Sequence, residues 1–386
     1  MNEIYFDNSA TTVCSKEVCD AVVKAMKETY GNLSSSHLKG VEAEKIQRSA
    51  RETIAATLRC SEKEIFFTSG GTEADNWALI GSANALRRSG MHLITTCIEH
   101  PAVLQTMHFL ENQGFEVTYL DVDSTGHILL QDLEKALRND TILVSVMLVN
   151  NEIGSIMPVE EAALIVHKKC PGAIFHTDAV QAYGKIPINA RHIGADLISV
   201  SGHKIHGPKG TGFLYIKERT HILPFILGGG QQNGMRSGTE NVAGAAGLAA
   251  AAKDACLNLP AYTEQMRLVK DRLTAGLKKM EGVIVHSGEG ETGAPHIVNA
   301  SFTGVRSEVL LHALEDRRIY VSAGSACSSN RKHVYSAVLS KLKLPKEQLE
   351  SALRFSFSHF NTIEEVDCTL AALNEFLPVL RRYTRH

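Results

Sequence analysis

Residues 195–216 read ADLISVSGHKIHGPKGTGFLYI. Two short apolar runs, 195–201 and 212–216, flank a loop of Gly, Ser and His that carries Lys204. Short continuous apolar runs bounded by turn residues mark strands buried on both faces. A lysine directly behind such a strand is oddly placed for a solvated charge, which is the plain alternative for any lysine. It stands where the carboxyl end of a parallel strand opens onto a crevice, the usual ligand position in open α/β sheets. Partial desolvation and nearby cations depress a lysine's pKa there, and the amine can then form a Schiff base with an aldehyde.

The same texture extends outward. Residues 65–68, 92–96, 117–122, 142–149 and 173–179 read as strands. Helical patterns run from the turn at 69–72 to about Arg88, from Pro101, which suits a first helical turn, and over 158–169. Strand, turn and helix in alternation predict a mostly parallel sheet with helices on both faces. Beyond Leu257 the pattern changes to a polar helix at 263–279, strands at 296–302 and 352–357, and a helix at 307–316. Thr362 and Glu365 have capping-box spacing for a last helix. The expected division is a large α/β domain over 15–257 and a smaller α+β domain from 1–14 and 258–386.

Composition narrows the function. The chain has 386 residues, 44% hydrophobic and 21% charged, which is ordinary globular usage and excludes disorder and collagen-like fibres. A net charge of −2 gives no basic excess for nucleic acid. The first residues, MNEIYFDNSATT, lack a secretory pattern, and no apolar stretch is long enough for a membrane span. The eight cysteines, at 14, 19, 60, 97, 170, 256, 327 and 368, form no C-x-x-C pair. Reduced thiols in a cytoplasmic protein are expected.

Five further features carry chemistry. Asp178 ends the 173–179 strand; a carboxylate at that depth needs a partner, either a protonated ring nitrogen or a structural ion pair or cap. Ser69-Gly70-Gly71-Thr72-Glu73 joins a strand to a helix, so glycines and free N–H groups face an anion such as phosphate. His100 precedes Pro101 and would stack on a flat ring or move protons, with a structural histidine as the ordinary alternative. Arg354, between Leu353 and Phe355, requires an anion, from a substrate carboxylate or from the protein itself. Cys327 lies in the small-residue run Ala323-Gly324-Ser325-Ala326-Cys327-Ser328-Ser329-Asn330, with Arg331 and Lys332 behind it favouring the thiolate; an inert buried cysteine is the alternative.

Taken together, these pieces resemble the cysteine desulfurases of the NifS/IscS type, class-V aminotransferases among the fold-type I pyridoxal-phosphate enzymes. The resemblance covers nearly the whole chain. It rests on residues 7–12 (DNSATT), 67–73, Glu99-His100, 149–154 (VNNEIG), His176-Thr177-Asp178 with Gln181, 201–204 (SGHK), 236–241 (RSGTEN) and 324–327 (GSAC). It implies a seven-stranded, mostly parallel sheet and pyridoxal 5'-phosphate as cofactor. It implies that Lys204 is the Schiff-base lysine and that Asp178 pairs the pyridine nitrogen. Gln181 would bond the ring hydroxyl and His100 would stack on the ring. Gly71, Thr72, Ser201 and His203 would hold the phosphate, with Thr239 reaching it from the other subunit of a homodimer. Asn151 would lie near cofactor and substrate, and Arg354 would bind the carboxylate of L-cysteine. Cys327 would receive the sulfur as a persulfide and pass it to an iron–sulfur scaffold or a tRNA-thiolation enzyme. No resident metal is implied, though Cys327 is a candidate for transient iron–sulfur ligation.

Some positions depart from the family pattern: Leu33, Val13-Cys14, and Arg331-Lys332-His333 behind the cysteine. None removes a catalytic group. Selenocysteine lyase is an alternative within the family. A metal-dependent hydrolase using His100, His176, Asp178, His203 and His206 leaves Lys204 and Cys327 without a task and lacks an H-E-x-x-H pattern. A cysteine-only sulfur carrier lacks cluster spacing.

Overall fold

The computed structural model describes residues 3–323 and 335–383. Its centre is a seven-stranded sheet. In spatial order the strands are Ile65–Thr68, Gly212–Ile216, Leu197–Ser201, Ile174–Asp178, Thr141–Ser145, His92–Thr96 and Glu116–Leu120. The last five pair in parallel. Gly212–Ile216 runs against both neighbours, so Ile65–Thr68 points the same way as the parallel five. Six strands therefore end on one edge.

Successive side chains alternate between faces, which is why these strands read as unbroken apolar runs. Ile94, Val144, Phe175, Ile198, Val200 and Phe213 pack into one core. Leu93, Leu143, Ile174, Leu197 and Leu214 pack into another, against Trp77 and Met107. The outer strand Glu116–Leu120 is the one with exposed positions. At the other border, Gln232 accepts from the Phe67 amide at 3.1 Å, satisfying an edge N–H.

Two predicted elements shift. The strand expected at 142–149 ends as a ladder at Ser145. The chain continues extended, its amides bonding to the carbonyls of His176 and Asp178, and stays buried, so apolarity persisted past the strand. The polar helix expected from 263 starts at Leu259, with Pro260 in its first turn.

A second, antiparallel sheet orders Ser322–Ala323, Ala352–Ser356, Ile297–Phe302 and Val283–Val285. Its core holds Val298, Phe302, Leu353 and Phe355 with Val269 and Leu273 of the Leu259–Leu277 helix. The capping box forms at Thr362 and Glu365 before the Ile363–Tyr383 helix. The N-terminal segment joins the two sheets. Phe6 packs edge-on against Phe357 at 5.1 Å, Asp7 bridges to Ser356, and the Thr12 amide donates to His203 O at 3.0 Å. No helix among the described residues is long and apolar enough to cross a membrane.

Candidate active site

The carboxyl edge of the central sheet surrounds a cavity of about 320 Å³, within the range of small-molecule sites. Ten of the twelve residues singled out in the sequence line it: Gly71, Thr72, His100, Asn151, Asp178, Gln181, Ser201, His203, Lys204 and Arg354. Nine come together because parallel strands deliver their following turns to the same edge, and Arg354 comes from the second sheet.

Gly71 opens the Gly71–Leu86 helix, whose first N–H groups face outward unbonded by the helix itself. Its lack of a side chain permits a close approach: a Cβ there would stand 2.7 Å from Val180 Cγ2, which would have to shift. Lys204 closes the short 3-10 turn Gly202–Lys204 behind its strand. Its Nζ donates to the carbonyls of Ser9 at 2.5 Å and Ala10 at 2.8 Å, both on the N-terminal strap. Burial, helped by the Arg354 charge, pushes its pKa down to about 8 against the pull of Asp178 and Asp7.

Asp178 is 5% exposed and accepts from the Val180 amide at 2.8 Å. Burial raises its pKa, while His100, that amide and Lys204 oppose the shift. His100 accepts from the Ala102 amide through Nδ1 at 3.1 Å and so caps the Pro101–Asn112 helix. Burial and Lys204 hold its pKa below the ordinary value, so the ring is neutral with its proton on Nε2. The histidine is thus structurally satisfied through one nitrogen while its ring lines the cavity. Gln181 donates to Ser9 O at 3.0 Å. His203 is pushed down to about 4 by burial, Lys204 and Lys209, and its Nδ1 lies 3.2 Å from Thr11 Oγ1.

Arg354 is held by two contacts: Nη2 to Asp7 Oδ1 and Nη1 to Asn151 O, each at 2.8 Å. Three cavity residues keep a buried polar atom without a hydrogen-bond partner among the described residues: Ser9 Oγ, Asn151 Oδ1 and Arg354 Nε. Each such atom costs about 1–3 kcal/mol while it stays unpaired.

Thr239 lies elsewhere, in a neighbouring cavity of about 210 Å³ with Ser69, Gly212, Arg236 and Glu240. Cys327 lies outside the described residues. The other histidines weighed as metal ligands have protein partners. His176 sits between Ser145 Oγ at 2.8 Å and Ser199 Oγ at 3.0 Å, and His206 Nδ1 bonds Val13 O at 2.8 Å. Among the described residues no three His, Cys, Asp or Glu side chains form a metal-holding group.

Sequence reasoning assigned no role to Asp7, Ser9, Ala10 or Asp75. Asp75 follows Gly71 by four residues, one helical turn, so its facing was readable from the helical period.

Against this geometry, the model of the aminotransferase class-V family matches residues 4–368. The chain belongs to that family. A cysteine desulfurase IscS of Dictyoglomus turgidum is 43% identical over 379 residues, 98% of this chain and 95% of that one. A NifS-like protein of known structure superposes with a TM-score of 0.93 at 40% identity, over 98% of this chain and all of that one. The structure of SspA in complex with cysteine matches with a TM-score of 0.81 at 31% identity, over 94% of this chain and all of that one. Within the class-V family the chain is therefore of the NifS/IscS type, and its α/β fold is the one the resemblance implied.

Proposed function

We propose that the protein is a cysteine desulfurase that takes sulfur from L-cysteine and leaves L-alanine. One observation carries the reading: a half-buried amine, a buried carboxylate, a neutral imidazole, a helix N-terminus and an arginine converge on one cavity.

The donor set fits pyridoxal 5'-phosphate. The N–H groups at Gly71 and Thr72, with Ser201 and His203, would hold a phosphate, and Asp178 a protonated pyridine nitrogen. Gln181 would bond the ring hydroxyl, His100 would cover the ring, and Lys204 would hold the aldehyde carbon covalently. When bound, the cofactor supplies an electron sink for charge developing at the substrate Cα.

The chain's residues do the rest. Arg354 grips the substrate carboxylate, and Asn151 orients the bound amino acid. The Lys204 amine, once free, takes the Cα proton, which an amine depressed to about 8 is suited to do near neutral pH. The Cys327 thiolate attacks the substrate sulfur. The Cβ–S bond breaks as the S–S bond forms, a proton goes to Cβ, and alanine leaves with Cys327 as persulfide. The sulfur then passes to an acceptor protein, an iron–sulfur scaffold or a tRNA-thiolation enzyme; the IscS naming of relatives favours the scaffold. A cytoplasmic homodimer, with Thr239 completing the partner's phosphate site, belongs to the same reading. It is favoured by the place of Thr239 in a cavity beside Ser69 and away from Lys204.

The test is alanine release from L-cysteine by wild type and Cys327→Ala. Alanine from wild type alone is the expected result. Equal release from both would remove Cys327 from the reaction, and none from either holoenzyme would overturn the substrate.

A further inference from the structure

Arg354 already has an anion. Its guanidinium has five N–H donors; one serves Asp7 Oδ1, one serves Asn151 O, and the buried Nε has no partner among the described residues. The Asp7 and Arg354 side chains are 23% and 11% exposed, so water screens this pair only in part. Nor is Asp7 loosely placed. Its backbone bridges to Ser356, two residues along the strand from Arg354. The next two amides bond the same residue: Asn8 N to Ser356 O at 3.2 Å and Ser9 N to Ser356 Oγ at 2.8 Å.

We propose that Asp7 is a built-in competitor of the substrate carboxylate, half-neutralising Arg354 so that the α-carboxylate is held weakly enough for the product to leave. This rests on the reading of Arg354 as carboxylate anchor. An arriving carboxylate finds the remaining Nη donors, but shares one positive charge with a second anion fixed at 2.8 Å. Substrate and product bear the same carboxylate, so the competition weakens both alike. Binding lost equally from ground and transition states raises KM without lowering kcat. The rival role, in which Asp7 only orients the guanidinium, has the opposite consequence.

The experiment is calorimetric titration of the holoenzyme with L-alanine for wild type, Asp7→Asn and Arg354→Gln. Asp7→Asn should bind alanine more tightly by up to about fivefold, the order of one partly exposed ion pair, with KM for cysteine falling in parallel. Asp7→Ser, which keeps the backbone bridge and removes the charge, should do the same. Unchanged or weaker binding in both Asp7 variants overturns the inference. Arg354→Gln should lose alanine binding; if it binds like wild type, the anchor reading falls instead.

Discussion

Lys204 shows how much of a residue's chemistry is set by its surroundings. An exposed lysine holds its proton to about pH 10.5. Here burial comes first and Arg354 second, and the amine falls to about 8. Only the neutral amine attacks an aldehyde, so covalent uptake of pyridoxal phosphate by apoprotein should speed up as pH rises. Half-maximal rate is expected near pH 8 and saturation above it, read by stopped-flow absorbance; a rate still climbing tenfold per unit at pH 9.5 would contradict the depressed amine. Lys204→Ala should abolish the covalent link, read as loss of cofactor mass from denatured protein. The position of Lys204 was legible in the sequence, because a lysine behind a buried strand is a local pattern. The lowering of its pKa was expected too, but not which charges act on it, because Arg354 and Asp7 lie far away in the chain. Asp7 was quoted in a motif yet given no task for the same reason: its partner is 347 residues distant.

At the scale of elements, two glycines allow close approaches, one against a side chain and one against backbone. Gly71 starts its helix against Val180, where an added Cβ would sit 2.7 Å from a methyl that can move. Gly71→Ala should therefore fold, but push the phosphate away from the helix N-terminus. Cofactor affinity should fall about tenfold, the order of one charged hydrogen bond, measured by equilibrium dialysis against pyridoxal phosphate. Gly212 faces a harder wall. A Cβ there would lie 2.5 Å from Val200 O and 2.7 Å from Gly70 Cα, backbone that cannot rotate aside. Gly212→Ala should lower stability by about 1–3 kcal/mol, read by urea unfolding, and a Tm equal to wild type would refute the close approach. The turns and caps at these elements follow from neighbours a few residues apart, and the sequence reading found them. It also read the strand at 212–216 correctly. The reversed direction of that strand depends on what it pairs with, which a single run of apolar residues does not encode.

For the whole molecule, packing buries acids as well as amines. Glu99 is 2% exposed; Oε1 accepts from Thr96 Oγ1 at 2.8 Å and Met147 N at 2.9 Å, and Oε2 has no partner among the described residues. Burial pushes its pKa from 4.5 up to about 8. Between those values the folded protein holds a proton that the unfolded chain has lost. The contribution of this group is thus complete below pH 4.5 and drains away as pH rises through 8. Glu99→Gln cannot ionise, so its stability should fall less across that interval. Thermal melts of the two proteins from pH 5 to 9 should diverge, with the variant the more stable at pH 9; parallel curves would mean that Glu99 is ionised throughout. Neutral Glu99, Asp178 with its raised pKa and depressed Lys204 are one effect seen three times, the low polarisability of an interior formed by two sheets and a strap.

What the sequence by itself determined is the set of local structures: buried strands, glycine turns at helix starts, a capping box, a lysine after a strand. These depend on side-chain periodicity and on backbone freedom over a few residues, so they are written in order along the chain. Nine of the predicted site residues share one cavity because strands of the central sheet end on one edge, and the second sheet adds Arg354. Only the tertiary structure decided which charges face one another there, that Asp7 takes one side of Arg354, and how far each pKa moves. Electrostatic energy varies with distance in space and with exclusion of water, and neither follows from separation in sequence.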